Sequence, residues 1–203
     1  MKLALAQIDS RIGDFSGNRR RILAAAAEAR RHGADLAVLP EMVVTGYPPR
    51  DLLLDPAFVA RAVAVTEEIA QELKDGPQVV LGTVAPSGSA TPGHPGLWNA
   101  AAFLSAGRIA ALVPKRLLPA YDVFHEPRWF VPGGASSPLE IAGRRLGLLI
   151  CEDLWDSWRP APRYCWRSPP PRSVPESWKS ASATPAARRR PSSSSMPWEP
   201  TTS

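Results

Sequence analysis

An apolar run that stops on a cysteine constrains this chain more than any other feature. Residues 145–156 read RLGLLICEDLWD, so the leucine-rich stretch ends at Cys151 and gives way at once to Glu152 and Asp153. Such a run is typical of a buried β-strand. A cysteine at its carboxyl end would place the thiol at the sheet edge, with the N–H of Glu152 free to meet a ligand. Cys151 is therefore either a small core residue or a nucleophile.

Two charged residues end apolar strands in the same way. Glu41 follows the apolar residues 35–39 across a proline. Lys115 likewise follows residues 108–113 across a proline. The carboxyl ends of neighbouring strands in a layered sheet converge on one crevice. The sequence therefore predicts that Glu41, Lys115 and Cys151 meet in one site.

These residue types supply the groups that amide hydrolysis needs. A thiol that attacks a carbonyl or nitrile carbon needs a base, and burial can raise the pKa of a carboxylate such as Glu41 toward that task. The oxyanion of the tetrahedral intermediate would be stabilised by the Lys115 ammonium and the backbone N–H of Glu152. The charge of Lys115 would also favour the thiolate of Cys151. The carboxylate would then protonate departing ammonia and activate water for the thioester.

Hydrophobic periodicity predicts an α/β chain with a largely buried sheet. Strands are predicted at residues 2–8, 35–39, 78–84, 98–104, 108–113, 139–141 and 145–150, the last four as two hairpins. Helices are predicted at residues 19–32 and 57–74. Two proline-punctuated segments, residues 42–56 and 117–134, are apolar or aromatic enough to line a pocket.

Composition divides the chain near residue 157. Residues 158–203 carry eight Lys and Arg against two acidic residues, whereas residues 1–157 carry 16 basic and 17 acidic residues. The later segment is rich in Pro, Ser and Arg, lacks apolar periodicity and is predicted to be disordered. It also holds four of the seven tryptophans, a composition typical of a GC-rich gene read out of frame. We therefore predict a domain at residues 1–157 and a non-native, frameshifted tail at 158–203.

Composition also limits the class of protein. All of the excess positive charge lies in the tail, so nucleic-acid binding is not predicted. The two cysteines form no disulfide framework or metal-ligand spacing, which fits a reducing, cytoplasmic setting. No apolar run is long enough to span a bilayer, and no membrane association is predicted. The three histidines, His32, His94 and His125, are interpreted as structural or solvated.

The contexts of the three strand ends resemble one known family. The segments VLPEMVVTGYPPRDLL, LVPKRLLPAYDVFHEPRWF and LLICEDLWD contain Glu41, Lys115 and Cys151 in that order. Together they resemble the nitrilase superfamily of carbon–nitrogen hydrolases. More narrowly, GYPPRDLL, YDVFHEPRWF and CEDLW are similar to the glutaminase domains of glutamine-dependent NAD+ synthetases. The resemblance covers about residues 1–157.

The resemblance implies an αββα sandwich, here incomplete, that releases ammonia from glutamine through a glutamyl thioester. By the same resemblance Glu41 is the base, Lys115 the oxyanion donor and Cys151 the nucleophile. Glu126 would position the lysine and Tyr121 would wall the glutamine pocket. Structural roles stay open for these two, since Glu126 could pair with Arg128 at the surface and a loop tyrosine often only packs.

The resemblance also implies partners outside this chain. The ammonia would pass to a synthetase domain, absent here, that amidates deamido-NAD with ATP, and the glutaminase part itself would need no cofactor. Family members of this kind are expected to be homo-oligomers. Because the pattern ends after Asp156, the expectation is a truncated chain that is inactive and poorly folded. Two alternatives remain: a stand-alone nitrilase-type amidase or carbamoylase, and a non-catalytic remnant or interaction protein whose basic tail binds acidic partners.

Overall fold

The computed structural model describes residues 1–156 as an α/β structure built on one five-stranded sheet. Its strands follow chain order: β1 (Leu3–Leu5), β2 (Leu36–Val38), β3 (Gln78–Pro86), β4 (Leu97–Ser105) and β5 (Arg108–Pro114). Strands β1, β2 and β3 are parallel, β4 pairs antiparallel with β3, and β5 pairs antiparallel with β4. The predicted order of strands and helices and the β4–β5 hairpin are confirmed.

Two helices connect the parallel strands, and each begins at an aspartate. Helix α1 (Phe15–Arg31) starts four residues earlier than predicted because the Asp14 carboxylate accepts the N–H of Gly17, 2.8 Å away. That hydrogen bond lowers the pKa of Asp14. Helix α2 (Pro56–Glu72) starts where Asp55 accepts the N–H of Ala57. Both caps satisfy N–H groups that the helix itself leaves without acceptors.

One face of the sheet packs against both helices. Side chains such as Ile22 of α1 and Ile69 of α2 meet Val79 and Leu81 of β3 in a core from which solvent is excluded. The helices therefore form the outer layer on this face. Burying aliphatic side chains of this size contributes about 1.5–3 kcal/mol each.

The opposite face of the sheet is covered by the start of a second β layer. A two-stranded sheet, β6 (Leu139–Ile141) and β7 (Arg144–Leu146), packs with Ile141 and Ile150 against Val80 and Phe103. The layers thus run helix, sheet, partial sheet. The predicted fold class, an incomplete αββα sandwich, is confirmed.

The predicted strand at residues 145–150 is wrong in extent. Strand β7 ends at Leu146, and residues 147–150 pair with no strand among the residues that the structure describes. Leu148 and Ile150 nevertheless pack against the sheet. An apolar run reports burial, whereas a strand also needs a hydrogen-bonding partner alongside it. The segment before Cys151 is therefore half-buried, and fully buried only at Ile150, without being paired to a strand within residues 1–156.

The two proline-punctuated segments pack against each other. A short 3-10 helix, Arg50–Leu54, faces another, Glu126–Arg128. Leu53, Trp129 and Phe130 share a cluster with Val84 and Leu97 at the end of the sheet. Asp51 accepts hydrogen bonds from both Arg128 and Trp129. A short helix α3 (Asp153–Asp156) ends the described part of the chain.

Within residues 1–156, neither long helix is apolar and extended enough to cross a bilayer. The predicted tail at residues 158–203, with its disorder and its frameshifted origin, lies outside the described residues.

Candidate active site

The side chain of Lys115 lies at the centre of the candidate site and is 1% exposed. Its backbone is held on both sides, because its N–H donates to Asn99 O and its carbonyl accepts from Gly133, each at 2.8 Å. The Nζ atom donates to Glu41 Oε1 and to Glu126 Oε1, each at 2.9 Å. An ammonium carries three N–H donors, so one remains for another acceptor.

Glu41 reaches this site because β3 lets its backbone approach closely. Gly82 of β3 donates its N–H to Pro40 O at 3.1 Å. A Cβ at Gly82 would lie 2.1 Å from Met42 N and 2.6 Å from the Glu41 carbonyl carbon. Glycine at this strand position is therefore a requirement of close backbone approach.

The carboxylate of Glu41 uses one oxygen to hold its position. Oε1 accepts from Lys115 Nζ and from Asn99 Nδ2, the latter at 2.6 Å. Oε2 has no partner among the described residues, and the side chain remains 22% exposed. One oxygen of Glu41 is therefore free to exchange a proton with a ligand. Asn99, which is 1% exposed, was missed by the sequence analysis because it reads as an ordinary polar residue within a strand.

Glu126 is buried at the site and is not a surface partner of Arg128. It is 3% exposed, and Oε1 accepts from Lys115 and from the hydroxyl of Tyr47 at 3.2 Å. Arg128 pairs instead with Asp51. Lys115 thus lies between two carboxylates, and Tyr47 is a second residue that the sequence analysis missed. The position of Tyr47 in the GYPP segment was the sequence signal that could have identified it.

Neighbouring charges shape the protonation of this group. Burial acts to lower the pKa of Lys115, but the charges and hydrogen bonds of Glu41 and Glu126 outweigh it, so the pKa is raised. Burial raises the pKa of Glu126, and Lys115 opposes that rise. Burial, followed by the charge of Glu126, raises the pKa of Tyr47. At neutral pH the lysine is therefore charged.

Cys151 occupies a tight turn with an unusual backbone conformation. Its φ of 46° lies in the left-handed region, which non-glycine residues adopt at a cost of about 1–3 kcal/mol. The turn closes where the N–H of Asp153 donates to Ile150 O at 3.0 Å. The N–H of Glu152 donates to no acceptor within residues 1–156, and the residue Cys151 is exposed.

The thiol of Cys151 lies within the electrostatic reach of the two other predicted residues. Partial burial and then the charge of Glu41 raise its pKa, whereas Lys115 lowers it. The expectation that the lysine favours the thiolate holds for its own contribution, but the net shift is in the opposite direction. The thiol is therefore protonated at neutral pH, and its activation calls for a base.

Tyr121 lies beside the cysteine turn at the protein surface. It is 56% exposed, and its hydroxyl donates to the Glu152 carboxylate at 2.9 Å. That hydrogen bond raises the pKa of Tyr121. Its role as a wall of a glutamine pocket stays a prediction.

A cavity between the two loop segments does not contain Glu41, Lys115 or Cys151. It has a volume of about 690 Å³ and is lined among others by Arg50, Val123, His125, Arg128 and Trp129. A smaller pocket next to it reaches Tyr47 and Glu126. We place the candidate site at the Lys115 cluster, because catalysis needs reactive side chains that converge on one point. The two cavities lie next to this cluster.

Comparisons with curated proteins give one consistent group of relatives. The chain is 39% identical over 155 residues to a glutamine-dependent NAD(+) synthetase from Synechocystis sp. and 40% identical over 154 residues to one from Rhodobacter capsulatus. Each match covers 76% of this chain, but the chain spans only 28% and 27% of the length of these relatives.

Solved structures with the same fold include synthetases and amidases. Glutamine-dependent NAD+ synthetase from Acinetobacter baumannii matches with a TM-score of 0.66 and 32% identity over 76% of this chain and 28% of that one. An amidase from Nesterenkonia sp. matches with a TM-score of 0.61 and 30% identity over 76% of this chain and 56% of that one. The family model described as carbon-nitrogen hydrolase matches residues 2–157. This chain therefore belongs to the carbon–nitrogen hydrolase family.

Proposed function

We propose that this chain is the glutamine-hydrolysing part of a glutamine-dependent NAD+ synthetase. The observation that carries the proposal is the placement of Lys115, buried between Glu41 and Glu126 with one N–H unused. The curated relatives give the glutamine-dependent assignment. Ammonia would pass to a synthetase domain that amidates deamido-NAD with ATP. The cytoplasm is the proposed compartment, because a thiol nucleophile must stay reduced.

The proposed reaction begins with proton transfer from Cys151 to Glu41. Its thiol pKa is raised, so removal of this proton by a neighbouring carboxylate is a necessary step. The sulfur then bonds to the carboxamide carbon of glutamine, and the carbonyl electron pair moves to oxygen. The third N–H of Lys115 and the N–H of Glu152 would donate to that oxyanion.

Collapse of the tetrahedral intermediate breaks the carbon–nitrogen bond. Glu41 returns its proton to the departing nitrogen, which leaves as ammonia. A glutamyl thioester remains on Cys151. Glu41 then takes a proton from water, hydroxide attacks the thioester carbon, and glutamate leaves as the thiol is reprotonated. Glu126 contacts Lys115 but not the reacting atoms, so we assign it the positioning of the lysine.

A stand-alone amidase is the second candidate. Structures of the Nesterenkonia amidase support it, since variants of that enzyme in which one glutamate is replaced by glutamine or leucine carry covalent adducts of acrylamide or of the acetamide moiety of fluoroacetamide at the active-site cysteine. These reagents test the chemistry of the present chain directly. We expect fluoroacetamide to modify Cys151 much faster than Cys165. Equal modification of both cysteines would refute a carbon–nitrogen hydrolase site at Cys151.

Competition then separates the two enzymatic candidates. Glutamine should slow the modification of Cys151 more strongly than propionamide, which shares its carboxamide but lacks the amino-acid end. Equal protection by the two amides favours a stand-alone amidase. Chromatography in rising salt on acidic resin, with and without residues 158–203, would test the interaction-protein alternative.

The 203-residue chain is proposed to show no measurable release of ammonia from glutamine. Residues 147–150 have no paired strand within the described part of the chain, so little secondary structure holds the nucleophile in place. A measurable glutaminase rate that Cys151→Ala abolishes would overturn this proposal of inactivity without touching the assignment of the chemistry.

A further inference from the structure

The carboxylate of Asp153 joins two segments that are far apart in sequence. Oδ1 accepts the backbone N–H groups of Arg116 and Leu117 at 2.9 and 2.8 Å. Oδ2 accepts the N–H of Ile150 at 3.1 Å. The residue is 4% exposed. One buried carboxylate therefore connects the backbone that directly follows Lys115 to the backbone that directly precedes Cys151.

The contact with Ile150 is reciprocal and encloses the nucleophile. The N–H of Asp153 donates to Ile150 O, and the Asp153 side chain accepts the N–H of Ile150. The bond to the Asp153 carboxylate resembles the second half of a capping box, in which an acidic side chain accepts the N–H of the residue three positions earlier. Cys151 lies inside this turn with its φ of 46°. Such a conformation persists only where the surroundings hold it.

No strand takes over this task. Residues 147–150 are unpaired within the described part of the chain, whereas the backbone of Lys115 is fixed by Asn99 and Gly133. The Asp153 hydrogen bonds thus connect a firmly held residue to a loosely held one. Hydrogen bonds to a charged acceptor are stronger than those between neutral groups.

We propose that Asp153 is a positioning residue that fixes the Cys151 turn against the Lys115 segment. The inference rests on the proposed function, because a nucleophile at Cys151 is the reason for the turn to be fixed there. A carboxylate suits this place because it has acceptors only, and its two oxygens serve three donors. The amide of an asparagine would turn its NH2 group toward at least one of these N–H groups.

The first test uses amide hydrogen exchange in the unmodified 203-residue chain. Arg116 is exposed and neither it nor Leu117 lies in a helix or strand, so their amides would exchange rapidly without an acceptor. We expect the amides of Arg116, Leu117 and Ile150 to be protected. Free exchange at Arg116 and Leu117 would overturn the proposal, whether or not any variant folds.

The second test measures alkylation of Cys151 by iodoacetamide against pH in Asp153→Asn, with peptide mapping to separate it from Cys165. The charged groups that act on the thiol are Glu41, Lys115, Glu152 and Glu126. If the Cys151 thiol moves away from these charged groups, its pKa should fall toward that of an ordinary cysteine. The midpoint of the alkylation rate against pH should therefore move to lower pH. Modification by fluoroacetamide should slow by about tenfold to a hundredfold.

The control is Asp55→Asn, which alters an exposed hydrogen bond from a backbone N–H to an aspartate at the start of α2, far along the chain from Cys151. It should leave both Cys151 readouts unchanged, and Asp153→Glu, which keeps the acceptors, should restore part of the protection. A folded Asp153→Asn variant with an unchanged midpoint and unchanged modification rate refutes the inference. Neither amide exchange nor alkylation by iodoacetamide involves glutamine. Failure of glutamine to protect Cys151 would therefore count against the proposed function and not against the role of Asp153. Failure of the Asp153 tests would leave the proposed function standing.

Discussion

Replacing Gly82 by alanine should displace the proposed base without touching any reactive group. The new Cβ would lie 2.1 Å from Met42 N, and real Cβ atoms essentially never approach closer than 3.0 Å. The obstructing atom belongs to the backbone, which cannot rotate away as a side chain can. The segment of Glu41 must therefore retreat from β3 by about 0.9 Å.

That displacement sets the expected magnitude. A misplacement of about 1 Å in a catalytic group reduces rates by about a hundredfold. Overpacking of this kind also lowers the free energy of unfolding by about 1–3 kcal/mol. The Gly82→Ala variant should therefore remain folded under mild conditions while the modification of Cys151 slows by two orders of magnitude.

The assay is modification of Cys151 by fluoroacetamide at neutral pH, where the protonated thiol needs a base. Urea unfolding measured alongside confirms that the variant is folded. Gly134→Ala is the matched control, because a Cβ there meets nothing within 4 Å, and its rate should equal that of the unmodified chain. If Gly82→Ala is folded and Cys151 reacts at the original rate, the argument that β3 positions Glu41 is wrong.

Further predictions concern the charged cluster and one helix cap. Glu126→Ala should lower the free energy of unfolding by about 3 kcal/mol, because it removes one partner of a buried ion pair; a loss below about 1 kcal/mol in urea titrations would contradict this. Asn99→Ala should lower the same quantity by about 1.5–3 kcal/mol through loss of its hydrogen bond to a carboxylate, and an unchanged urea midpoint would argue against it. Glu41→Gln should move the iodoacetamide midpoint of Cys151 to lower pH, since the Glu41 charge raises that pKa; an upward shift would reverse the assigned sign. Asp14 has a lowered pKa in the folded chain, so its contribution to stability is present above pH 3.8 and lost as the pH falls further; Asp14→Asn should reduce this acid sensitivity in thermal melts, and an equal loss in both proteins would contradict it.

Local patterns were sufficient to predict most of the elements. The alternation and helical spacing of apolar residues, with Asp and Gly at their ends, predicted all five sheet strands and both long helices to within a few residues. They were sufficient because a helix or strand buried on one face has apolar residues that recur with the period of that element. The same patterns failed at residues 147–150, since pairing depends on a neighbour that periodicity cannot reveal.

The candidate site divides in the same way. Glu41, Lys115 and Cys151 were predicted as site residues because each follows an apolar run and because their contexts resemble a known family. Nothing local marked Asn99 or Asp153, since an amide and a carboxylate acquire their roles from donors and acceptors that the fold brings to them.

By itself, the sequence determined which segments are buried and which reactive residues end them, because these properties depend on neighbours along the chain. Only the tertiary structure decided that Glu126 lies against Lys115 and not beside Arg128, and that burial together with the charge of Glu41 raises the pKa of Cys151. Hydrogen bonds and electrostatic shifts depend on distances through space, and those distances exist only once the sheet and its loops have packed together.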